Sequence, residues 1–415
     1  MRNAKLVAAA AAGAALAVWL WRRRRRASGG TEIQPEVARK QPPIANIAVC
    51  GAGWWSQGWH LPHLSRHPHA RIAAIVEPSA VPRSAISDLI SREALGKRYD
   101  APTFASIDEL LASPTAGTLH GVLVASSHAS HAELGTKALG QGLHVMMEKP
   151  MTTDVAEARA LAQAASQAAT RNVSFMVNNT ANWRPHAVVA SRLVGGGEIG
   201  RVEHVLCVMH SPLIWLFDDP ANVGWTKPTG SMAGNGFGYG QASHILAWVF
   251  KVTGLVPLSA YCVMTASERS GADMTDAAVI RCADGASICF SGAASVPGNA
   301  HATTNDNVHS VGKHISVRVF GSEGLVTFEG DDQTPSSGRL VVSRRDGGPP
   351  TVVDGFLFEN YEAEGTGPES LHAFIDACNG REHFVGVGHE VGLDVVRVLD
   401  AMYRSAKSGQ PERLA

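Results

Sequence analysis

One stretch limits the fold more than any other. Ile44 to Cys50, IANIAVC, is a short apolar run of strand type, and Gly51-Ala-Gly53-Trp54-Trp55-Ser56 follows it at once. A strand that empties into a glycine turn and then a helix suits a dinucleotide for stated reasons. One glycine permits the tight turn, and the other lets the backbone approach a pyrophosphate resting on the helix N-terminus. The third position of the pattern is Ser56 rather than glycine, a residue small enough for close helix–strand packing. Pro62 falls soon inside the expected helix, where it kinks the helix or marks a first turn.

Context strengthens the turn. Arg71 to Glu77, RIAAIVE, is a second strand ending in an acid, a few residues beyond the usual spacing. A carboxylate there accepts hydrogen bonds from adenosine ribose hydroxyls and repels a 2′-phosphate. NAD is therefore favoured over NADP, with Arg83 near enough to keep NADP open. The alternation continues with a helix over Ser106 to Ala112, a strand over Leu119 to Ser126 and a helix over His131 to Gly140. A strand over Leu143 to Glu148, a helix over Thr152 to Ala169 capped by Thr152 or Thr153, and a strand over Asn172 to Asn178 complete it. Strands alternating with helices predict a doubly wound parallel sheet, a Rossmann domain over residues 44–179.

The remainder, residues 180–415, reads differently. Strand patterns over Val202 to Val208, Ser259 to Thr265, Ala277 to Cys282, Ser287 to Ser291, His314 to Phe320, Gly324 to Phe328 and Arg339 to Ser343 predict an α/β domain with a large, mostly antiparallel, open-faced sheet. Its open face would serve as a homodimer interface.

The strand Leu143 to Glu148 runs into Lys149-Pro150. Ligands of such sheets bind at the carboxyl ends of strands, and a lysine there orients a substrate hydroxyl and stabilises the alkoxide that forms as hydride leaves. With the blocks GAGWWSQGWHLPHL, VLVASSHASHAELGTKALGQGLHVMMEKP, GPESLHAFIDACNG and HEVGLDVVRVLDAMYRSAKSG in this order, the chain from Ile44 onward resembles the glucose–fructose oxidoreductase/inositol dehydrogenase (Gfo/Idh/MocA) family. The resemblance implies an NAD(P)-dependent oxidoreductase acting on a secondary alcohol or carbonyl of a sugar, polyol or cyclic diol. It makes Lys149 the catalytic, nicotinamide-contacting lysine. It puts Ser126, His131 and Glu148 on the cofactor side with Gly51, Gly53, Trp54, Trp55, Ser56 and Glu77.

The family's second signature is an Asp four residues before a His that opens a helix. Here GNGFGYGQASHILAWVF supplies His244, but Gly240 stands in the aspartate's place. Either a Lys149–His244 pair works alone, or Tyr239 or Gln241 takes part; a phenol at Tyr239 can donate or accept the proton. The departure also favours a rival reading, a non-catalytic nucleotide-binding sensor or scaffold on the same fold. Trp215, Phe217, Asp218, Asp219, Trp225 and Lys227 fall where the family lines its substrate pocket, and a loop packed on the protein is an equal reading.

His60, His63, His67, His69, His128 and His131 have no companion acids or cysteines, so no metal site is expected, and His60 and His63 are read as helix-surface residues. The net charge of −1 argues against a nucleic-acid partner. The six cysteines include no C-x-x-C pair and read as buried thiols, with a Cys282–Cys289 hairpin disulfide disfavoured.

The N-terminus stands apart. Leu6 to Trp21 is uninterruptedly apolar and Arg22 to Arg26 follow. At about 1.5 Å per residue the run makes roughly 24 Å of helix, short of a ~30 Å hydrocarbon core. The stronger charge comes after the apolar run, opposite to a cleaved signal peptide. Residues 1–26 are read as a single-helix membrane anchor whose arginines leave the catalytic body facing the cytosol, with residues 27–43 as linker.

Overall fold

The computed structural model describes residues 43–298, 312–334, 336–357 and 365–415. The expected anchor and nearly all of the expected linker lie outside the described residues. Among the described residues no helix is long and apolar enough to cross a membrane.

Six parallel strands form the first sheet: β1 (Ala45–Cys50), β2 (Ala70–Val76), β3 (Thr103–Phe104), β4 (Gly121–Val124), β5 (His144–Met147) and β6 (Phe175–Val177), in the order β3-β2-β1-β4-β5-β6. The reversal between β1 and β4 puts the crevice above Cys50 and Val124, where the glycine turn begins. β1, β4 and β5 are almost wholly buried because helices cover both faces, which is why their sequences read as unbroken apolar runs. Helix Ile107–Ala112 starts where Ser106 accepts from Glu109 N. The next long helix, Val155–Ala169, is capped by Asp154, whose side chain accepts from Glu157 N, and not by Thr152 or Thr153. Both threonines are buried instead.

Among the described residues nine strands form the second sheet: β7 (Val202–His210), β8 (Pro257–Ala266), β9 (Asp273–Cys282), β10 (Ser287–Ala293), β11 (His314–Gly321), β12 (Gly324–Asp331), β13 (Gly338–Arg344), β14 (Thr351–Phe356) and β15 (Glu412–Arg413). Their order is β14-β13-β12-β11-β7-β10-β9-β8-β15, antiparallel except for the parallel pair β7–β10. The inward residues of β9 alternate with exposed ones, as a half-covered sheet requires. Leu206, Tyr261, Val263, Val279 and Phe320 lie exposed on the other face. The helix Glu369–Cys378, far along the chain, packs back on the first sheet: a side chain at Gly121 would collide with Cys378 Sγ and Phe374. The expected division at residue 180 is therefore crossed by a C-terminal helix. All six cysteines are free, and the register pairs Cys289 with Val279, so Cys282 is not its partner.

Candidate functional site

The glycine turn is built as its residue types demand. Gly51 has φ +97°, and a Cβ there would lie 2.5 Å from Ser126 N and 2.6 Å from Ala125 O. Gly51 thus permits β1 and the end of β4 to approach. A Cβ at Gly53 would meet nothing within 4 Å. Open space beside this backbone, at the start of the helical run through Arg66, is what an approaching pyrophosphate needs. The helix opens with a π-turn, Ser56–His60, and Pro62 sits in the first turn of the α-helical part, Leu61–Arg66. Ser56 is fully buried, as its packing role predicts. Trp54 and Trp55 are half-buried, ring edge against ring face at 5.3 Å, and Trp55 stacks on Trp59 at 5.2 Å.

Glu77 stands at the end of β2. Its Oε2 accepts from Ala52 N at 2.8 Å and its Oε1 from Ser79 N at 3.0 Å, which aims the carboxylate at the turn. Gln57 adds a clamp, donating to Ala52 O and Ile90 O and accepting from Ile90 N. These residues fit a nicotinamide dinucleotide: a glycine turn open beside Gly53, a helix N-terminus and an acid at the ribose position.

The second half of the site stands at the end of β5. Glu148 is buried. Its Oε1 bonds His60 Nε2 at 2.8 Å and accepts from Asn178 Nδ2 at 2.7 Å, while its Oε2 accepts from Lys149 N at 3.1 Å. Burial pushes this carboxyl up, but His60, Lys149 and Asn178 outweigh burial and hold it at about 2. Glu148 thus faces inward and braces the strand end rather than reaching a cofactor. The expectation for His60 and His63 is corrected by the same observation. Both are buried, His60 because it partners Glu148 and His63 because its ring packs edge-on under Trp59 at 4.6 Å.

His131 is also corrected. Its ring is fully buried with Nδ1 3.0 Å from Pro150 O and Nε2 3.2 Å from Ser126 O. It ties the end of β4 to the residue after Lys149 and has no edge left for a cofactor. Ser126 Oγ, at the crevice, bonds Ser130 Oγ at 2.7 Å.

Lys149 follows a buried strand, and the Lys149–Pro150 bond is cis. Its Nζ donates to Gly240 O at 3.0 Å and lies 4.8 Å from the centre of the Trp225 ring. Burial pulls the amine down, the Glu148 charge resists and the Lys313 charge assists, leaving it at about 8. His244 opens the helix Ser243–Thr253 as expected. Burial, then the charges of Lys149, Lys313 and Arg184, push its imidazole well below the ordinary histidine range, so it is neutral and able to accept a proton.

The sequence reading weighed His128 only as a metal ligand and set it aside. It packs edge-on against Trp225 at 4.9 Å, and burial, His131 and the Lys149 charge push it down to about 3. A second neutral imidazole therefore lies against the ring that Lys149 also meets. The signal was present, three residues before His131, but only the tertiary partner Trp225 distinguishes it.

The structure removes Tyr239 from the reacting groups. It is 1% exposed, stacks on Tyr403 at 5.1 Å, and its phenol donates to Thr153 O at 3.3 Å. Burial pushes it well above the ordinary tyrosine range. Tyr239→Phe is expected to leave kcat and kcat/KM within roughly threefold of the wild type, read by steady-state kinetics on any substrate the protein turns over.

Gly240 is not simply an aspartate lost. A Cβ there would meet Phe217 Cζ at 2.6 Å, with Trp225 next at 3.7 Å, so an aromatic ring occupies the place of the missing side chain. Asp218 and Lys227 are held by their own loop. Asp218 accepts from Ser267 Oγ at 2.5 Å and Arg269 Nη1 at 2.6 Å, and Lys227 donates to Ser270 O at 2.7 Å. Among the described residues no cluster of three or more metal-binding side chains is placed to hold a metal.

Comparison with known proteins agrees with this geometry. Residues 45–178 match the model of an oxidoreductase family with an NAD-binding Rossmann fold. An uncharacterized oxidoreductase of Synechocystis sp. is 28% identical over 214 residues, 50% of this chain and 52% of that protein. The chain spans about half, or less, of the length of the curated relatives it matches. Among solved structures, GenD2 from gentamicin A biosynthesis in complex with NAD is similar at TM-score 0.65 and 21% identity, over 90% of this chain and 97% of that one. Aldose-aldose oxidoreductase from Caulobacter crescentus, complexed with glycerol, is similar at TM-score 0.62 and 22% identity, over 89% of this chain and 100% of that one. Residues 45–178 thus match the NAD-binding Rossmann domain of the Gfo/Idh/MocA oxidoreductase family, and the solved structures share the fold of that domain joined to a mostly antiparallel open sheet.

Proposed function

We propose that this protein transfers a hydride between NAD(P) and a secondary alcohol or carbonyl of a sugar, polyol or cyclic diol. The observation that carries the reading is the Lys149 amine at the end of β5, bonded to Gly240 O and set 4.8 Å from the Trp225 ring, with His128 and His244 close enough to feel its charge. Bound nicotinamide supplies the hydride acceptor or donor. His244 takes the hydroxyl proton, and Lys149, as ammonium, holds the substrate oxygen and stabilises the charge that develops on it. Trp225, half-buried over Lys149, offers a ring face on which a sugar or cyclic diol stacks. The aldose and glycerol named for the Caulobacter neighbour support this substrate class.

Glu77 supports NAD as the preferred nucleotide, because its carboxylate repels a 2′-phosphate. Fluorescence titration is expected to show NADH binding at least about tenfold tighter than NADPH, a charge-repulsion effect. A panel of polyols, sugars and cyclic diols should then change absorbance at the nicotinamide band. The aromatic filling at Gly240 favours the sensor reading, and nucleotide binding without turnover across the whole panel would establish it.

Residues 1–26 are proposed as a membrane anchor with the body on the cytosolic side, and the apolar open face of the second sheet as a homodimer interface. The full chain is expected to float with liposomes and to lose flotation when residues 1–26 are deleted. The deleted form is expected to sediment as a dimer. Flotation that survives deletion, or a monomer, overturns the respective part.

A further inference from the structure

The segment Gly234-Asn-Gly-Phe-Gly-Tyr-Gly240 has glycine at every second position. Three of these glycines lie against a buried pair far off in the sequence. A Cβ at Gly234 would lie 2.4 Å from the Tyr403 ring, one at Gly236 2.5 Å from Asp273 Oδ1, and one at Gly238 2.8 Å from the Tyr403 hydroxyl. The pair is itself closed: Tyr403 donates to Asp273 Oδ1 at 2.6 Å, and Gly238 N donates to Asp273 Oδ2 at 2.7 Å. Gly236 bridges Asp273 through the backbone.

The Gly240 and Trp225 contacts of Lys149 Nζ both hang from this strap. Gly238 opens the π-turn Gly238–Ala242, whose Gly240 carbonyl accepts from Lys149 Nζ. Asn235 Nδ2 donates to Gly224 O at 3.1 Å and to Lys227 O at 3.0 Å, which anchors the short helix Val223–Thr226 carrying Trp225. The Tyr239 ring, stacked on Tyr403, adds a third attachment.

We propose that Asp273 and Tyr403 are positioning residues for Lys149: by gripping the glycine strap they set the Gly240 carbonyl and the Trp225 ring around its amine. The proposal rests on the reading of Lys149 as the reacting amine. Neither residue approaches the Gly51–Gly53 turn among the contacts described, so nucleotide binding is not their role. If the grip loosens, the Gly240 carbonyl and Trp225 move off, water reaches the amine, and the amine regains its ordinary basicity. Glu148, Lys313, His128 and His244 face the same amine from the other elements and stay in place in the variants.

The test titrates Lys149 directly and needs no substrate. The full chain is pulsed with limiting acetic anhydride over a pH series, and Lys149 acetylation is quantified by mass spectrometry for wild type, Asp273→Ala, Asp273→Asn and Tyr403→Phe. NADH binding is measured in parallel. The wild-type midpoint is expected near 8. Asp273→Ala and Tyr403→Phe should raise it by about one unit with NADH affinity kept within about threefold, the desolvation being relieved. Asp273→Asn retains an acceptor for Gly238 N and should stay near wild type. Tyr403→Phe removes one hydroxyl and leaves the stacked ring, so it covers the case in which Asp273→Ala does not fold. An unmoved midpoint in NADH-binding Tyr403→Phe and Asp273→Ala overturns the positioning role. A wild-type midpoint at the ordinary lysine value instead overturns the reading of Lys149, and the proposal with it.

Discussion

Lys149→Ala is expected to lower turnover on the order of a thousandfold, the scale of losing a charged stabiliser of a developing alkoxide. NADH affinity should stay within about tenfold, because the turn and Glu77 that carry the nucleotide are untouched. Lys149→Met separates charge from packing, since its chain still fills the space under Trp225. It should be as inactive as the alanine variant. The pH profile gives the sign. In the proposed mechanism, oxidation by the free protein needs His244 neutral and Lys149 protonated. His244 is held well below the ordinary range, so kcat/KM should show no His244 limb near neutrality and should fall above about 8.

The same lysine carries a cost in stability. Its folded-state value lies below that of an unfolded lysine, so the charged form disfavours the fold at neutral pH. The penalty fades as pH rises from about 8 towards the ordinary value of 10.5. Lys149→Met should therefore melt higher than wild type at pH 7 while losing turnover. Retained turnover in either variant, measured on a substrate the wild type oxidises, would remove Lys149 from the mechanism.

What could be read in the sequence was what is local. The strand–turn–helix at Gly51, the acid at Glu77, the strand ending in Lys149 and the helix opened by His244 each need only neighbours in the chain, and each is where it was expected. Features set by distant partners were hidden. His60 looks like a surface residue until Glu148, 88 positions on, arrives beside it. Tyr239 looks like a proton donor until the π-turn lays it on Tyr403. The consequence of Gly240 depended on Phe217, whose ring no spacing rule places in that gap. Asp218 and Lys227 have the right chemistry for hydroxyls, but their own loop consumes it. The edge strands β14 and β15 were missed for a related reason: each is paired on one side only, and β14 is largely exposed, so neither carries a strong apolar alternation.

The largest loss of stability is expected from Glu148→Ala. The carboxylate joins three groups from separate elements: His60 from the helix after β1, Asn178 from the end of β6, and the Lys149 amide. Asn178 in turn accepts from Ser370 Oγ at 2.7 Å, so the network reaches the C-terminal helix Glu369–Cys378. Removing the charge leaves these buried donors unpaired, which costs about 3–5 kcal/mol and lowers Tm by roughly 10 °C at neutral pH. Glu148→Gln keeps an acceptor oxygen and should fall between. The sign with pH follows from the depressed value of about 2 against an ordinary 4.5. The stabilisation is complete above about 4.5 and is lost as pH falls towards 2, so wild type and variant should converge across that interval. Activity gives an independent check. Glu148 is the charge that resists the downward pull on the Lys149 amine, so in Glu148→Gln the alkaline limb of kcat/KM should move below 8. A variant that melts like wild type at pH 7 and keeps its alkaline limb in place would show that Glu148 neither braces the strand end nor tunes the lysine beside it.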